Sequence, residues 1–311
     1  MKRSVSIIGA GRVGKTLGRR LREQGWSIAA VVTRSAATAR AAVRAIGAGT
    51  PMVFSGSSGI QFREKHAAST GVAALDLKEV FSADVIFLTT ADDFLPSIAR
   101  ALARNAGSKC RGKVILHTAA TLDRTALAPF SRCGAHVGSL HPMQAFGGAV
   151  MPNLENVIFA VEGDAQACRI ATSIAKSLGG IPVPIHTRDK AIYHASAVIS
   201  VGSAYATVEA GLEMLMRIGF TRQRAQQTLF PLMRQILDNI ERLGPRAAWT
   251  GPLSRGDYAI VARHAKALRM GKYPREFSDA YAALALLAGR TLSKNPSAAL
   301  KKIAQALGDS R

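Results

Sequence analysis

A glycine-rich turn near the start of the chain carries the clearest chemical signal. Gly9-Ala10-Gly11-Arg12-Val13-Gly14 follows the apolar segment Val5–Ile8 and precedes apolar residues at helical spacing. Between a strand and a helix, this pattern binds a dinucleotide pyrophosphate: Gly9 permits the turn, Gly11 lets backbone approach, and Gly14 allows close packing. Glycines also serve ordinary turns, but the flanking strand and helix favour a dinucleotide site. Its candidate residues are Gly9, Gly11, Arg12, Val13 and Gly14.

The residues after the next apolar segment, Ile28–Val32, indicate which dinucleotide is bound. NAD-binding domains place an acidic residue there, about 20 residues after the glycine motif. This sequence has Thr33-Arg34-Ser35 instead. A guanidinium and two hydroxyls suit a 2′-phosphate, because arginine donates a forked pair of hydrogen bonds to phosphate oxygens. The sequence therefore predicts NADP rather than NAD, and the alternative is that Arg34 is an ordinary solvated charge.

Two later loops complete the predicted cofactor site. Thr89-Thr90-Ala91-Asp92-Asp93 follows Val85–Leu88, and His117-Thr118-Ala119-Ala120 follows Val114–Leu116. In an open parallel sheet, ligands bind in the crevice at the carboxyl ends of the strands. We therefore expect these loops to flank the ribose and nicotinamide, with Thr89, Thr90, Ala91 and Thr118 as candidate contacts.

Two segments contain candidate acid–base groups. His141-Pro142-Met143-Gln144-Ala145-Phe146 follows an apolar segment, where a histidine can act as acid, base or carbonyl polariser. The alternative role of His141 is structural, fixing the turn before a proline. In Lys190-Ala191-Ile192-Tyr193-His194, the spacing places Lys190 and His194 on one helical face. A partly desolvated lysine there could protonate a carbonyl or imine, and two surface side chains at a helix start are the alternative.

A further segment, Thr250-Gly251-Pro252-Leu253-Ser254-Arg255-Gly256-Asp257, is typical of a shaped loop. Asp257 or Ser254 would cap the helix that begins at Tyr258. Capping leaves Arg255 unexplained, and a guanidinium suits a substrate carboxylate. Arg255 and Asp257 are therefore candidate substrate-binding residues, with a purely structural loop as the alternative.

The elements that position these segments alternate in the first part of the chain and are helical in the second. Segments typical of buried strands lie at Val5–Ile8, Ile28–Val32, Val85–Leu88, Val114–Leu116, Ala135–Leu140, Val157–Val161 and Ile181–Ile185. They predict an α/β fold, with a doubly wound parallel sheet in a Rossmann domain over residues 1–187. Helical segments then predict an all-α domain over residues 188–311.

Two stretches differ from their surroundings. Lys190–Arg217 is apolar on nearly every face, which predicts the central helix of a bundle or of a dimer. Gly49–Ser69 is rich in glycine and serine with a basic tail, and predicts an extended surface loop.

Composition excludes several classes of protein. The net charge of +21 would attract polyanions, but aromatic residues are only 6% and no nucleic-acid motif is present, so we expect no specific nucleic-acid partner. The three cysteines have no metal-ligand spacing, which predicts a reduced compartment and no metal site. The longest uncharged stretch is too polar for a membrane span, and Met1–Ser4 lead straight into the first apolar segment. We therefore expect a cytoplasmic protein without a signal peptide.

Four segments together resemble a known family: Gly9–Gly14, His141–Phe146, Lys190–His194 and Thr250–Asp257. They are similar to those of bacterial Rossmann-like proteins with a C-terminal domain of unknown function. Those proteins are related to pyrroline-5-carboxylate reductase, ketopantoate reductase and the deazaflavin-dependent NADP reductases. The resemblance covers essentially the whole chain, and it implies a C-terminal domain of the 6-phosphogluconate dehydrogenase type and a homodimer built on the long apolar helix.

The resemblance also implies roles for the lysine segment. In the β-hydroxyacid dehydrogenase and ketopantoate reductase relatives, a lysine followed four residues later by an asparagine does the acid–base work. Lys190 matches that lysine, whereas His194 stands where the asparagine would be. The Gly49–Ser69 stretch is also longer than the usual connection.

These observations lead to one main hypothesis and two rivals. The main hypothesis is an NADP-dependent oxidoreductase acting on a small carbonyl or imine substrate that carries a carboxylate. Lys190 would be the general acid, His141 or His194 the polarising partner, and Arg255 with Asp257 the substrate clamp. The first rival is a sensor or scaffold that binds NADP without catalysis. The second is a basic nucleic-acid-binding module, which the composition disfavours.

Overall fold

The computed structural model describes residues 3–54, 72–148, 150–271 and 273–308. The chain divides into two compact units, Met1–Ile199 and Ser200–Arg311, called here the sheet unit and the helical unit. The last strand ends at Pro184, close to the boundary at residue 187 that the sequence predicts from the change of element type. The first helix after that strand belongs to the sheet unit.

In the described residues, the sheet unit contains one sheet of nine strands. They are β1 Ser4–Ile8, β2 Ser27–Thr33, β3 Thr50–Val53, β4 Ala73–Ala74, β5 Val85–Leu88, β6 Val114–His117, β7 His136–Pro142, β8 Ile158–Gly163 and β9 Ile181–Pro184. Their order is β4-β3-β2-β1-β5-β6-β7-β8-β9, and every neighbouring pair is parallel except β7 and β8. The sheet confirms the predicted Rossmann fold and adds one antiparallel pair. Strand order reverses between β1 and β5, where such sheets bind ligands.

Helices cover both faces of this sheet. They are α1 Arg12–Glu23, α2 Ala36–Ile46, α3 Leu77–Val80, α4 Leu95–Ala106, α5 Ala128–Arg132, α6 Ala165–Ser177 and α7 Lys190–Ala197. One apolar cluster packs Leu17 of α1 and Ile174 of α6 against the sheet. The other packs Leu102 of α4 and Phe130 of α5 against the opposite face. Because both faces are covered, strands such as β5 are buried at every residue, as their continuous apolar sequence predicts.

The expected loop over Gly49–Ser69 is wrong at its start. Thr50–Val53 forms β3, which pairs in parallel with β2, and the buried Met52 joins the second apolar cluster. A short apolar run beside an open strand edge gains backbone hydrogen bonds by pairing, despite the neighbouring glycines. Residues 55–71, which contain the remainder of that stretch, lie outside the described residues.

The helical unit consists of helices in its described part. They are α8 Ser203–Arg217, α9 Arg222–Leu243, α10 Pro245–Ala248, α11 Pro252–Arg255, α12 Tyr258–Met270, α13 Arg275–Leu292 and α14 Pro296–Gly308. Its buried apolar cluster is small, with Ala285 of α13 against Ala299 and Ile303 of α14. The helix α9 is 22 residues long but buries only Ala225. No helix in the described residues is long and apolar enough to cross a membrane.

The segment Lys190–Arg217, predicted as one central helix, is divided and largely exposed. A π-helical turn at Val198–Gly202 separates α7 from α8. Ile199 and Tyr205 are among several large side chains there that are exposed in the single chain. Within the described residues this segment is therefore not a buried central helix, and its burial in a dimer stays a prediction.

Candidate functional site

The glycine turn is held in a conformation that only glycine adopts readily. Gly9 has a φ of +89°, and a Cβ added there would lie 2.5 Å from Thr90 Cγ2 and 2.8 Å from its backbone nitrogen. The backbone N–H of Gly9 donates to the carbonyl of Val32 at 2.8 Å. At Gly11, by contrast, the nearest atom to an added Cβ is 3.8 Å away. Gly9 is thus required by the fold, whereas Gly11 keeps the backbone open towards a ligand.

Two threonines directly after β5 lie beside this turn and have different roles. Thr89 Oγ1 donates to the carbonyl of Gly9 at 2.8 Å and contacts the space next to Gly14. Thr90 Oγ1 is buried and has no hydrogen-bond partner among the described residues. Thr89 therefore locks the glycine turn to β5, while the hydroxyl of Thr90 is left for a ligand.

The end of β2 fits a 2′-phosphate through one side chain. Thr33 Oγ1 donates to the carbonyl of Ser35 at 2.9 Å, and Ser35 Oγ caps α2 by accepting from Thr38 N at 3.2 Å. Arg34 is exposed and makes no hydrogen bond or ion pair within the described residues. The two hydroxyls thus shape the turn and leave the guanidinium of Arg34 available.

The other predicted cofactor contacts surround the same carboxyl edge. Arg12 is exposed at the first turn of α1, and Val13 beside it is half-buried. Ala91 is exposed before the short helical turn Asp92–Phe94, and Thr118 is half-buried directly after β6. Their backbone positions follow the carboxyl ends of β1, β5 and β6, which is where open parallel sheets bind ligands.

Lys190 is buried at the start of α7, with 1% of its surface exposed. Its Nζ donates to Ser139 Oγ at 2.8 Å, which is its one hydrogen bond within the described residues. Burial lowers the pKa of Lys190, and the nearby carboxylates of Glu162, Asp123 and Asp92 oppose that shift. Lys190 therefore has one hydrogen bond, to Ser139, and its lowered pKa means that its ammonium form gives up a proton more readily than a lysine in water.

Strand register explains how Ser139 and its neighbours meet. His117 on β6 pairs with Ser139 on β7, and Ser139 pairs with Glu162 on β8. The three side chains form one polar row, and His141 lies two residues further along β7 on the same face of the sheet. The sequence analysis missed Ser139 and Glu162, although a serine and a glutamate inside apolar strands were a signal of this kind.

His117 is fully buried and its ring is satisfied. Ala119 N donates to Nδ1 at 3.2 Å, so Nε2 carries the proton and donates to the carbonyl of Asp123 at 3.1 Å. Burial, assisted by the charge of Lys190, lowers the pKa of His117 to about 4. This histidine is a neutral structural group rather than an acid.

His141 lies next to two side chains of α7. Its ring meets those of Tyr193 and His194 edge to face, with centroids 5.8 and 6.1 Å apart. Burial, together with the charges of Lys190 and His194, lowers the pKa of His141 to about 4. His141 is consequently a neutral hydrogen-bonding group at neutral pH.

Buried polar atoms without partners concentrate around these residues. Four side-chain N or O atoms in the described residues are buried and lack a hydrogen bond: Trp26 Nε1, Thr90 Oγ1, His141 Nδ1 and Tyr193 OH. The last three belong to the ends of β5 and β7 and to α7. An unmet buried polar atom is costly, so a cluster of them indicates a binding site.

Asp92 adds a carboxylate to this part of the sheet unit. Burial raises its pKa, and the positive charges of His194 and Lys190 act in the opposite direction. The sequence analysis included Asp92 only as part of a loop. Its spacing after a strand was a usable signal, but its proximity to α7 was not visible in the sequence.

Arg255 and Asp257 lie in the helical unit and pair with each other. Arg255 Nε donates to Asp257 Oδ2 at 3.0 Å, and both side chains are largely exposed. The expected capping of α12 is wrong: Asp257 stands at the N-cap position but its carboxylate is drawn to Arg255. Ser254 Oγ instead donates to the carbonyl of Gly251 at 2.8 Å. The structure thus brings together Lys190, His194 and His141, and separately Arg255 and Asp257.

The described residues contain no cluster of histidine, cysteine, aspartate or glutamate side chains suited to a metal ion.

Two family models match different parts of the chain. Residues 4–121 match the family described as NADP oxidoreductase, coenzyme F420-dependent. Residues 157–288 match a domain of unknown function, DUF2520. No curated protein matches the chain.

Solved structures share the fold along nearly the whole chain. A provisionally assigned NADP oxidoreductase from Bacteroides fragilis is 18% identical with a TM-score of 0.69, covering 91% of this chain and 96% of its own. A reductive aminase from Aspergillus terreus, solved with NADPH and ethyl-5-oxohexanoate, is 14% identical with a TM-score of 0.64, covering 97% and 99%. An imine reductase from Streptomyces aurantiacus is 14% identical with a TM-score of 0.59, covering 96% and 98%.

Proposed function

Because the chain joins a Rossmann domain of the NADP oxidoreductase kind to a DUF2520 domain, we propose that it is an NADP-dependent oxidoreductase. Its substrate is a small carbonyl or imine compound that carries a carboxylate. One observation carries the proposal: the glycine turn and a buried lysine with unpartnered polar neighbours lie on the carboxyl side of the same parallel strands. The NADPH-bound reductive aminase and the imine reductase of the same fold support this class of reaction.

The cofactor is held by groups that the fold leaves open. The backbone at Gly11 and the first turn of α1 would hold the pyrophosphate, and Arg34 would hold the 2′-phosphate. Thr90 Oγ1 is the unpartnered hydroxyl nearest the glycine turn and accepts a hydrogen bond from, or donates one to, the ribose side. When bound, NADPH supplies the hydride.

Lys190 supplies the proton that must accompany hydride. One N–H of its ammonium is used by Ser139, which leaves two donors for a substrate oxygen or nitrogen. A lysine whose pKa is lowered by burial gives up a proton more readily than one in water, which suits it to general-acid work near neutral pH.

His141 and Tyr193 orient the substrate without changing charge. Because burial lowers the pKa of His141 to about 4 and raises the pKa of Tyr193 above its usual value, both side chains are neutral at pH 7. Their unpartnered atoms can hydrogen-bond a carbonyl or imine, and His194 stands beside them. Arg255 and Asp257 are the proposed substrate clamp, in which a substrate carboxylate would replace Asp257 as the partner of Arg255.

We also propose that the protein is a homodimer through its helical unit, and that it works in the cytoplasm. The exposed apolar side chains of α9 support the dimer, since a stripe of this kind is unfavourable in water. The unpaired cysteines support a reducing compartment.

The test is a screen of NADPH oxidation over 2-keto acids and cyclic imino acids, followed by substitution of the lysine. Lys190→Ala should reduce turnover about 100-fold or more, because general-acid catalysis contributes that much, and should leave NADPH affinity unchanged. Lys176→Ala, which removes an exposed lysine of the same unit, is the matched control and should retain full turnover.

Unchanged turnover in Lys190→Ala would remove the lysine from the mechanism. A wild-type protein that binds NADPH tightly but oxidises it with none of these compounds would instead favour the sensor or scaffold role.

A further inference from the structure

A buried polar row lies under Lys190 and is not explained by substrate binding. His117, Ser139 and Glu162 are neighbours on three adjacent strands, and each is buried. On the same face of these strands, Ile115, Val137 and Ala160 are apolar, and His141 is the polar neighbour on β7. Buried polar side chains cost free energy unless they are satisfied, so three in one row call for a specific reason.

Glu162 is held in place on both of its oxygens. Oε2 accepts from the backbone N–H of Arg124 at 2.9 Å, and Oε1 accepts from Thr187 Oγ1 at 3.2 Å. The guanidinium of Arg124 is 4.0 Å from Oε1 and half exposed, so its charge is partly screened by solvent. Glu162 is thus a fixed buried carboxylate whose charge also acts on Lys190.

Charged and titratable groups face Lys190 from several elements. Glu162 and Asp123 favour its ammonium form, as does Asp92 at the end of β5. Lys190 in turn disfavours the protonated forms of His117 on β6 and His141 on β7. The remaining groups nearby are His194 on the same helix and Arg124 beside Glu162.

We propose that Ser139 and Glu162 are positioning residues for Lys190: Ser139 fixes the direction of Nζ, and Glu162 keeps its ammonium charged inside the fold until the substrate takes the proton. The proposal rests on the proposed function. In the reductive direction, bound NADPH would supply the hydride that the carbonyl carbon gains and would leave as NADP⁺. The carbonyl oxygen gains the proton that leaves Nζ, and Lys190 becomes a neutral amine that is reprotonated from solvent.

The role of each partner follows from its chemistry. An ammonium taken out of water loses much of its hydration, so burial without a compensating charge favours the neutral amine. A fixed carboxylate in the next strand compensates without occupying the donors of Nζ, since its own oxygens bond Arg124 N and Thr187 Oγ1. The hydroxyl of Ser139 accepts one N–H of the Lys190 ammonium, so the other two N–H groups stay available for the substrate.

The experiment compares Glu162→Gln with Glu155→Gln, which removes an exposed carboxylate of the same unit. Lysine labelled with ¹³C at Cε is followed by NMR against pH, and Lys190→Arg identifies the Lys190 signal. Loss of the Glu162 charge should lower the Lys190 midpoint by about one pH unit, because an adjacent opposite charge favours the ammonium. With NADPH and an active substrate, the alkaline fall of kcat should move down by the same amount, since activity needs the protonated lysine.

Ser139→Ala is the second variant and changes side-chain volume very little. It should reduce kcat about tenfold while leaving KM within twofold, because direction of the proton donor matters in the transition state more than in binding. A purely structural row would lower the unfolding temperature of both variants and leave the Lys190 midpoint unmoved.

The outcomes separate the two proposals. A midpoint that is the same in Glu162→Gln, Glu155→Gln and wild type overturns the positioning role, whatever the activity. A midpoint that moves only in Glu162→Gln supports it. If the midpoint moves but the wild-type protein oxidises NADPH with no compound of the screen, the proposed function fails while the control of Lys190 by Glu162 stands.

Discussion

The carboxyl edge of the sheet and the helix α9 differ in the kind of group that each leaves without a partner. At the sheet edge these groups are polar: the guanidinium of Arg34 and the buried atoms of Thr90, His141 and Tyr193. The apolar side chains beneath them are fully packed in two continuous clusters. Although Phe94 and Ile192 at this edge are exposed, the apolar side chains of its strands are packed, and the hydrogen bonds of these polar atoms are incomplete.

Helix α9 shows the opposite pattern. Its first turn is well paired, with a forked ion pair from Arg222 to Glu209 of α8. Its later turns expose Leu232, Ile236 and Leu243. A cavity of about 630 Å³ between α8, α12 and α13, lined mainly by apolar and aromatic side chains, adds to the uncovered apolar surface of this unit.

This difference separates what can bind at each place. Unmet hydrogen bonds at the carboxyl edge of a parallel sheet are completed by a small polar ligand. Exposed leucine and isoleucine side chains along a helix lose contact with water best against another apolar surface, which a second protein chain offers. The unpartnered groups of the sheet unit thus indicate a binding site for a small ligand, and those of the helical unit indicate a surface for contact with a second chain.

The largest expected effect concerns α9. Leu232, Ile236, Ile240 and Leu243 lie at helical spacing on one side of α9, so Ile236→Glu places a carboxylate in the middle of that stripe. If two chains pack there, the variant should raise the dimer dissociation constant about 100-fold or more, because a charge without a partner is costly in an apolar interface. Light scattering after size-exclusion chromatography, over a dilution series, measures this.

Gln227→Glu is the control for Ile236→Glu, since residue 227 is off the apolar stripe of the same helix. It should leave the dimer intact. A wild-type chain that is monomeric at every concentration, or an Ile236→Glu chain that stays dimeric, would show that α9 is not the interface.

A smaller effect is expected at the sheet edge. Arg34→Asp should weaken the binding of NADPH about 30-fold, which is near 2 kcal/mol. A charge-assisted pair of hydrogen bonds to the 2′-phosphate is lost, and a carboxylate faces that phosphate instead. The affinity for NADH, which has no 2′-phosphate, should change by less than about threefold. Quenching of protein fluorescence on titration gives both affinities.

Arg44→Asp changes the net charge equally from an exposed position on α2. If Arg34→Asp and Arg44→Asp weaken the binding of NADPH equally, the cofactor is attracted by the overall positive charge of the surface and not by a specific contact with Arg34. The NADP preference would then need another cause.

The fold could be predicted from the sequence wherever a pattern of apolar residues repeated over several positions. The continuous apolar runs of β5 and β6 and the helical spacing of α12 predicted those elements nearly to the residue. The short elements β4 and α3 were not predicted, because two to four residues carry no period. Local propensity is weakest there, and pairing with neighbours decides the structure.

The candidate site could be predicted from the sequence only in part. The glycine turn and Lys190 could be found because each depends on residues close together in the chain. The row of His117, Ser139 and Glu162 depends on the register of three strands, including the antiparallel pair β7 and β8, and no local pattern determines that register. The exposure of Arg34 and the internal pairing of Arg255 with Asp257 likewise required coordinates.

The last expected effect is on stability as a function of pH, and it should appear in the sheet unit. The pKa of His117 is about 4 in the folded chain, below the usual 6.5. Between these values the unfolded chain binds a proton that the folded chain does not, so stability is complete above pH 6.5 and is lost as the pH falls towards 4. For this one group the loss by pH 5 is about 2 kcal/mol.

Urea unfolding at pH 7 and pH 5 measures that loss, and the two tryptophans, Trp26 in the sheet unit and Trp249 in the helical unit, report the units separately. In a Trp249→Phe background, His117→Asn should reduce the acid-dependent loss seen by Trp26 by about 2 kcal/mol, because the asparagine does not titrate. His186→Asn, at an exposed histidine of the same unit, should leave the loss unchanged. Equal loss in all three proteins would show that burial of His117 does not control the acid response, since linkage requires the group with the shifted pKa to account for it.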